Sequence, residues 1–255
     1  MKSQRFSLHL ATLVLVFLYL PIVILAINSF NESRFGGVWT GFSLRWYERL
    51  FVERSIWHAL SNSLLIATAA TVVSTVLGSI AALALYQYKS FLQKTHHALM
   101  YTPLVIPDIL MGISLLLFFV SLKVGLGLVT VCVAHITFCI SYVAMLIRAR
   151  LQNFDTALVE AAYDLGASSW TVFFRVIIPF LAPAILASAL LAFTLSIDDF
   201  VITFFVVGPG VTTLPIYVYS MIKFGSPPLI NALSVVLLTV TFCIIWFTHR
   251  LIEKR

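Results

Sequence analysis

The order of apolar and polar positions along the chain predicts helices that span a membrane. Six apolar stretches alternate with shorter segments that carry most of the charged residues. Each stretch reaches the roughly 20 residues that a helix needs to cross the hydrocarbon layer, whereas membrane strands appear as alternating segments of about ten residues. We therefore predict an all-α, polytopic membrane protein with six transmembrane helices. The predicted spans are 8–29, 59–86, 98–122, 126–147, 181–207 and 229–249.

Composition supports lipid as the solvent of this chain. Of its 255 residues, 61% are hydrophobic and 10% are charged, whereas about a quarter of a soluble domain is charged. The net charge of +6 comes from residues scattered between the apolar stretches and not from basic runs, so nucleic acid is not an expected partner. Cys132, Cys139 and Cys243 lie inside apolar stretches without CxxC spacing, and we expect no metal or other cofactor.

The distribution of basic residues predicts how the chain is oriented. The first stretch is expected to be a retained helix, because its apolar run exceeds the about 7–15 residues of a signal peptide. Six spans put both termini on one side, and the basic residues of that side place it in the cytoplasm. The two later loops opposite hold Lys123 and Lys223, and the arginines of the longer first loop are partly balanced by glutamates. The terminal side holds Lys2, Arg5, Lys89, Lys94, Arg148, Arg150, Arg175, Arg250, Lys254 and Arg255.

A long polar segment between the fourth and fifth stretches predicts a helical hairpin on the cytoplasmic side. Asp155 or Thr156 can cap a first short helix, and Gly166 suits the left-handed residue that ends it. Ser168 can cap a second short helix, and Pro179 marks where the transmembrane helix takes over. A structured hairpin of this kind favours a docking element. The alternative is an amphipathic hairpin that lies on the inner membrane surface.

The hairpin resembles the EAA loop of ABC importer permeases. Its sequence EAAYDLGASSWTVFFRVIIP contains Glu-Ala-Ala, a glycine four residues later, and an apolar pair before proline. The matching residues are Glu160, Ala161, Ala162, Gly166, Ile177 and Pro179. The resemblance places the loop at about 148–179 and implies that its first helix couples to a groove on a separate ATPase. The residues assigned to this coupling are Glu160, Ala161, Ala162, Asp164, Leu165 and Gly166.

A wider similarity covers nearly the whole chain. The segments NSFNESRFGGVWTGFSLRWYERLF, HITFCISYV and SIDDFVITFFVVGP are similar to spermidine/putrescine ABC importer permeases, and more narrowly to the second of two permease subunits. The resemblance implies a single permease domain over residues 1–255 in the bacterial inner membrane. Its implied partners are a second homologous permease, a cytoplasmic ATPase dimer and a periplasmic polyamine-binding protein. The sequence contains no GxxxxGK[ST] phosphate loop, so we expect a transport subunit and not an enzyme.

Ionisable residues inside the predicted spans indicate where a solute passes, because each costs about 2.5–3.5 kcal/mol at mid-membrane. They are Asp108, His135, Asp198 and Asp199. Carboxylates without a deep lysine or arginine favour a cationic solute. Asp108 follows Pro107, where irregular backbone is tolerated beside a cavity. The alternative for Asp108 is that it caps a helix that restarts at this proline.

The predicted pathway residues are Asp108, Asp198 and Asp199. Asp198 and Asp199 are adjacent in the fifth stretch, about 100° apart around a helix. Only one of them can point squarely into a cavity, and the other is expected to bond to a neighbouring helix or to the partner subunit. The alternative is a structural pair at a subunit interface. His135 is interpreted as a hydrogen-bonded packing residue.

These observations predict a permease subunit of an ATP-driven importer that moves polyamines by alternating access. Two other functions stay open. The first is an ABC permease for another small cationic or organic solute. The second is a stand-alone carrier or channel, for which the sequence offers no inverted repeat and no selectivity filter.

Overall fold

A computed structural model describes residues 2–34, 38–88, 91–224 and 227–253, and their side chains except 2–5, 227, 244, 245, 247–249 and 251–253. Within these ranges there is no β-strand, only an isolated bridge between Asn31 and Phe42. The predicted all-α class is confirmed. The helices are α1 (Lys2–Asn28), α2 (Arg45–Val52), α3 (Arg54–Gln87), α4 (Gln93–Val105), α5 (Asp108–Ser121), α6 (Leu128–Leu151), α7 (Ala157–Asp164), α8 (Ser169–Val172), a π-helical turn (Phe173–Ile177), α9 (Ile178–Ile197), α10 (Val201–Val206), α11 (Leu214–Phe224) and α12 (Pro227–Glu253).

Several helices are long and apolar enough to cross a membrane, which agrees with a multi-pass protein. Among the residues that the structure describes, four qualify on their own, and α4 with α5 qualifies as a bent pair. The sixth predicted span falls in α12, whose described side chains include the apolar segment Pro228–Cys243. The count of six therefore stays a prediction. The four helices are Phe6–Asn28, Arg54–Gln87, Leu128–Leu151 and Ser169–Ile197. Of the basic residues used to predict orientation, the side chains of Lys2, Arg5, Lys89, Lys254 and Arg255 lie outside the described residues.

The third predicted span is broken by a sharp bend. The axes of α4 and α5 differ by 111°. Pro107 has no N–H to donate, and its ring pushes the preceding residue out of the helical region. Ile106 accordingly has φ −71° and ψ 132°. The helix restarts at Asp108, which agrees with the expectation of irregular backbone at this proline.

The fifth predicted span is also interrupted, and here the sequence prediction was wrong. Helix α9 ends at Ile197, and α10 follows after three residues. Asp198 is the C-cap residue of α9, with φ −98° and ψ −1°. Asp199 caps the next helix, because its carboxylate accepts a hydrogen bond from the Thr203 N–H at 2.8 Å. The two aspartates therefore lie in a break between helices and are not 100° apart around one helix.

Helices α6 and α9 lie at the centre of a compact unit formed by His58–Ile216, called here the central unit. Ala134 and Ala144 of α6 and Ala192 of α9 are completely buried. Small residues let membrane helices approach closely and pack their backbones together. The Cys139 thiol donates to the Ala192 carbonyl at 3.6 Å, so this cysteine packs as a small buried residue.

The two ends of the chain, Met1–Trp57 and Tyr217–Arg255, form a second compact unit. Its loop after α1 is held by Trp46, whose side chain is buried and whose indole N–H donates to the Asn31 carbonyl at 2.8 Å. The Asn31 side-chain oxygen accepts from the Thr40 backbone N–H at 3.0 Å. These contacts satisfy backbone and side-chain polar groups within the described part of the loop.

Candidate functional site

The hairpin begins with the short helix α7, and the structure decides between its two predicted caps. The Asp155 carboxylate accepts a hydrogen bond from the Ala157 N–H at 2.9 Å. Thr156 occupies the N-cap position without a side-chain bond to the helix. Asp155 thus satisfies one of the donors that every helix N-terminus leaves unpaired.

Gly166 ends α7 in the predicted left-handed conformation. Its φ is +81°, a value that a side chain with a Cβ rarely adopts. The turn lets the Ala167 N–H donate to the Ala162 carbonyl at 3.0 Å, so the last carbonyls of α7 find partners. This local prediction is confirmed.

The second short helix of the predicted hairpin is not a separate element. Ser168 caps α8 as predicted, since its hydroxyl accepts from the Thr171 N–H at 3.3 Å. Beyond α8, however, the π-helical turn leads directly into α9, so Ser169–Ile197 is one continuous helix. Pro179 lies in the first turn of α9, immediately after the wide turn. Its missing N–H is tolerated there, and the predicted boundary at this proline was wrong.

The residues assigned to coupling lie on an open surface. No residue of α7 is buried. Glu160, Ala161, Asp164 and Leu165 are exposed, with Leu165 reaching 89%. Ala162 is half-buried and packs against the apolar core of the central unit. The helix is therefore fixed from one side and presents two carboxylates and a leucine on the other.

The two helix breaks meet at a cavity of about 270 Å³ in the central unit. Asp108, at the start of α5, and Asp198, at the end of α9, both line it and are both exposed. Aromatic rings contribute further walls, from Phe138, Tyr142 and Phe200. Among the described lining residues there are three carboxylates and no lysine, arginine or histidine. Such a cavity favours a cation with apolar segments.

Asp199 stands at the edge of this cavity but is held in a buried polar cluster. Its carboxylate accepts from the Thr203 hydroxyl at 2.8 Å and lies 3.3 Å from the His135 Nε2. Because the Thr203 hydroxyl hydrogen faces Asp199, its oxygen accepts from the Nε2–H at 2.9 Å. The His135 Nδ1 lies 2.7 Å from the Ser196 hydroxyl. The side chains of His135 and Asp199 are only 2% and 10% exposed. Because His135 belongs to α6, Ser196 to α9 and Thr203 to α10, this buried cluster joins the three helices.

The sequence led us to expect that one of the adjacent aspartates Asp198 and Asp199 faces a cavity and that the other bonds to a neighbouring helix or to the partner subunit, without deciding which. Asp198 faces the cavity, whereas Asp199 positions α10 and bonds to His135. The interpretation of His135 as a hydrogen-bonded packing residue agrees with its contacts. No signal in the sequence distinguishes this cap, because Asp199 lies inside an apolar stretch and lacks the Glu or Gln three residues later that marks a helix start. Among the described residues, no group of three or more His, Cys, Asp or Glu is placed to hold a metal ion.

Comparison with known proteins gives consistent matches. Residues 74–255 match the family described as "Binding-protein-dependent transport system inner membrane component". The chain is 41% identical over 234 residues to "Spermidine/putrescine transport system permease protein PotC" of Escherichia coli (strain K12), covering 92% of this chain and 89% of the relative. It is 43% identical over 249 residues to "Putrescine transport system permease protein PotI" of the same strain, covering 94% and 89%.

A solved structure has the same fold. It is a chain from the crystal structure of a bacterial ABC transporter involved in the import of the acidic polysaccharide alginate. The TM-score is 0.73, and the match covers 98% of this chain and 97% of that one. Because the sequences are only 15% identical, this likeness shows the fold alone.

Proposed function

Because the chain belongs to the family of binding-protein-dependent transport system inner membrane components, we propose that it forms the path by which an ABC importer moves polyamines into the cell. The chain is a multi-pass inner-membrane permease, a transport component and not an enzyme. The resemblance first drawn from the EAA loop is confirmed by these matches.

The cavity lined by Asp108 and Asp198 carries the proposal about cargo. Its exposed carboxylates lie at helix breaks, with no basic side chain among the described lining residues to neutralise them. A polyamine brings several ammonium groups to pair with carboxylates, and methylenes that pack on Phe138 and Tyr142. The relatives at 41% and 43% identity bear the names of spermidine and putrescine permeases. Asp199 supports the same cavity from behind, by fixing the start of α10.

The exposed helix α7 supports the proposal about coupling. We assign Glu160, Ala161, Ala162, Asp164, Leu165 and Gly166 to a contact with one subunit of a cytoplasmic ATPase dimer, and both termini to the same side. The continuous helix Ser169–Ile197 runs from this hairpin to the residue before Asp198. Movement of α7 during the ATP cycle then reaches the cavity directly, and opens it alternately to either side of the membrane.

The remaining proposed partners complete the importer. A second, homologous permease pairs with this chain, and the cavity is completed at their interface. A periplasmic polyamine-binding protein delivers the cargo from outside, and lipid covers the exposed apolar helices. The length of α1 that is apolar and exposed, Phe6–Asn28, supports contact with lipid.

Uptake of radiolabelled spermidine and putrescine into cells with the complete importer tests the proposal. Asp108→Asn and Asp198→Asn each remove one charge from the cavity, and we expect uptake at low substrate concentration to fall at least about tenfold, since a hydrogen bond to a charged group contributes about 1.5–3 kcal/mol. Glu48→Gln, which removes an exposed carboxylate of α2, is the matched control and keeps normal uptake. Assembly of each variant is checked by co-purification of the ATPase.

Two results would overturn parts of the proposal separately. An assembled wild-type importer that takes up neither polyamine refutes the cargo. Normal polyamine uptake by assembled Asp108→Asn and Asp198→Asn importers refutes the pathway while leaving the cargo in place.

A further inference from the structure

A second cavity of the central unit lies between the end of α3 and the hairpin. Its volume is about 760 Å³, within the roughly 300–1,000 Å³ range of small-molecule sites. Of its described lining residues only Glu160 is also assigned to the contact with the ATPase, and none lines the cavity of Asp108 and Asp198. Six aromatic side chains from separate parts of the sequence converge on it: Tyr86, Tyr88, Phe154, Tyr163, Trp170 and Phe173.

The charged residues that line this cavity determine whether it favours a cation or an anion. Glu160 is the one carboxylate among the described lining residues, and these include no lysine, arginine or histidine. Hydroxyl and amide oxygens of Thr156, Ser169 and Gln87 add further acceptors for an ammonium N–H. An anion would find no compensating charge here, whereas a cation finds a carboxylate and the negative faces of aromatic rings.

Two of the rings pack on aromatic neighbours that do not line the cavity. Trp170 stacks on Phe174 with ring centroids 5.7 Å apart, yet 73% of Trp170 stays exposed. Phe154 packs against Phe180 at 4.9 Å. Aromatic walls that are already positioned lose little conformational freedom on binding. The arrangement therefore resembles the aromatic cages that bind alkylammonium groups.

We propose that this cavity binds an organic ammonium cation from the cytoplasm, at a site separate from the cavity of Asp108 and Asp198. The cytoplasmic location rests on the proposed function, which puts the hairpin on that side. The recognised chemistry is an alkylated or primary ammonium group with an aliphatic chain. Because Glu160 belongs to α7, the bound cation neutralises a charge on the helix assigned to ATPase coupling.

Protection of an introduced cysteine tests the site in the assembled importer. Ser169→Cys puts a thiol in the cavity, and Gln152→Cys puts an exposed thiol on the same hairpin outside it. Both are made in a Cys243→Ala background, because Cys243 is exposed. Inverted membrane vesicles are treated with a membrane-impermeant maleimide in the presence of spermidine or tetramethylammonium. At ten times the half-protecting concentration, we expect the labelling rate of Ser169→Cys to fall about tenfold and that of Gln152→Cys to stay unchanged.

A further replacement shows whether the aromatic ring binds the cation. Adding Trp170→Leu to Ser169→Cys removes one cation–π partner, and we expect the half-protecting concentration to rise about 2- to 30-fold. The proposal is overturned if Ser169→Cys is not labelled, if neither cation protects it, if both cysteines are protected equally, or if Trp170→Leu has no effect.

Measuring spermidine uptake into cells distinguishes a failure of this proposed site from a failure of the proposed cargo. Normal spermidine uptake without protection refutes the cavity site alone. Protection by tetramethylammonium in an importer that takes up no polyamine supports the site and refutes the cargo.

Discussion

Alanine at Asp199 is expected to destabilise the central unit, whereas alanine at the adjacent Asp198 is not. The Asp199 carboxylate accepts from both the backbone N–H and the hydroxyl of Thr203, each at 2.8 Å, and lies 3.3 Å from the His135 Nε2. Asp198 is exposed and caps no helix with its side chain. The two residues share a side-chain type and a place in the chain, so each is the matched control of the other.

The size of the effect follows from the contacts that are lost. Loss of a helix cap costs about 0.5–2 kcal/mol, and a buried donor left unpaired costs about 1–3 kcal/mol. Hydrogen bonds between membrane helices lie at the low end, averaging about 0.6 kcal/mol. We therefore expect Asp199→Ala to lower the free energy of unfolding by about 1–3 kcal/mol, and Asp198→Ala by less than about 0.5 kcal/mol.

The assay is unfolding of the purified, assembled importer by heat and by sodium dodecyl sulfate, together with polyamine uptake. Asp198→Ala should retain stability and lose uptake, whereas Asp199→Ala should lose both. Thr203→Val removes one hydroxyl but keeps the backbone N–H that Asp199 caps, so its cost should be about 1 kcal/mol. Equal stability of the Asp198→Ala and Asp199→Ala proteins would refute the assignment of different roles.

Three further predictions concern glycines and the hairpin. Gly208→Ala would drive a Cβ into the Leu126 carbonyl, so we expect little protein of native size on size-exclusion chromatography. Gly127→Ala, whose Cβ meets no heavy atom within 4 Å, should behave as wild type, and normal recovery of both variants would contradict the close approach at Gly208. Gly166→Val forces a branched side chain to φ +81°, at a cost of about 1–2 kcal/mol; we expect ATP hydrolysis stimulated by the binding protein to fall, and unchanged stimulation would refute a role for this turn. Glu160→Gln should weaken retention of the ATPase during co-purification in high salt, and equal retention would argue against a charged contact.

Some features of the fold could be predicted from local patterns in the sequence, and others could not. Membrane spans are predictable because an uninterrupted run of about 20 apolar residues is typical of a membrane helix and rare elsewhere. The bend before Asp108 is predictable because Pro107 lacks an N–H and restricts its neighbour. The break at Asp198 was missed, since a capping aspartate inside an apolar stretch has the same local pattern as an acid that faces a pathway.

The features that the sequence did not predict depend on contacts between residues that are distant in the chain. His135 and Asp199 lie on different helices, and the sequence contains no spacing that pairs them. At Pro179 the local rule predicted a boundary, but the wide turn before it accommodates the missing N–H and the helix continues. In both cases tertiary packing decides between local arrangements that the sequence alone leaves equivalent.

The winding of the π-helical turn Phe173–Ile177 sets how far the rest of the long helix is rotated about its own axis. The helix Ser169–Ile197 has 29 residues and is therefore about 43 Å long, at about 1.5 Å per residue. A π-helical turn accommodates an extra residue, so rewinding the same residues as an α-helical turn would rotate everything beyond it by about 100°. Asp198 immediately follows the C-terminal end of this helix. The direction in which its carboxylate faces is thus set by the winding of a turn next to the hairpin, and a twist there reaches the cavity without any change in helix position.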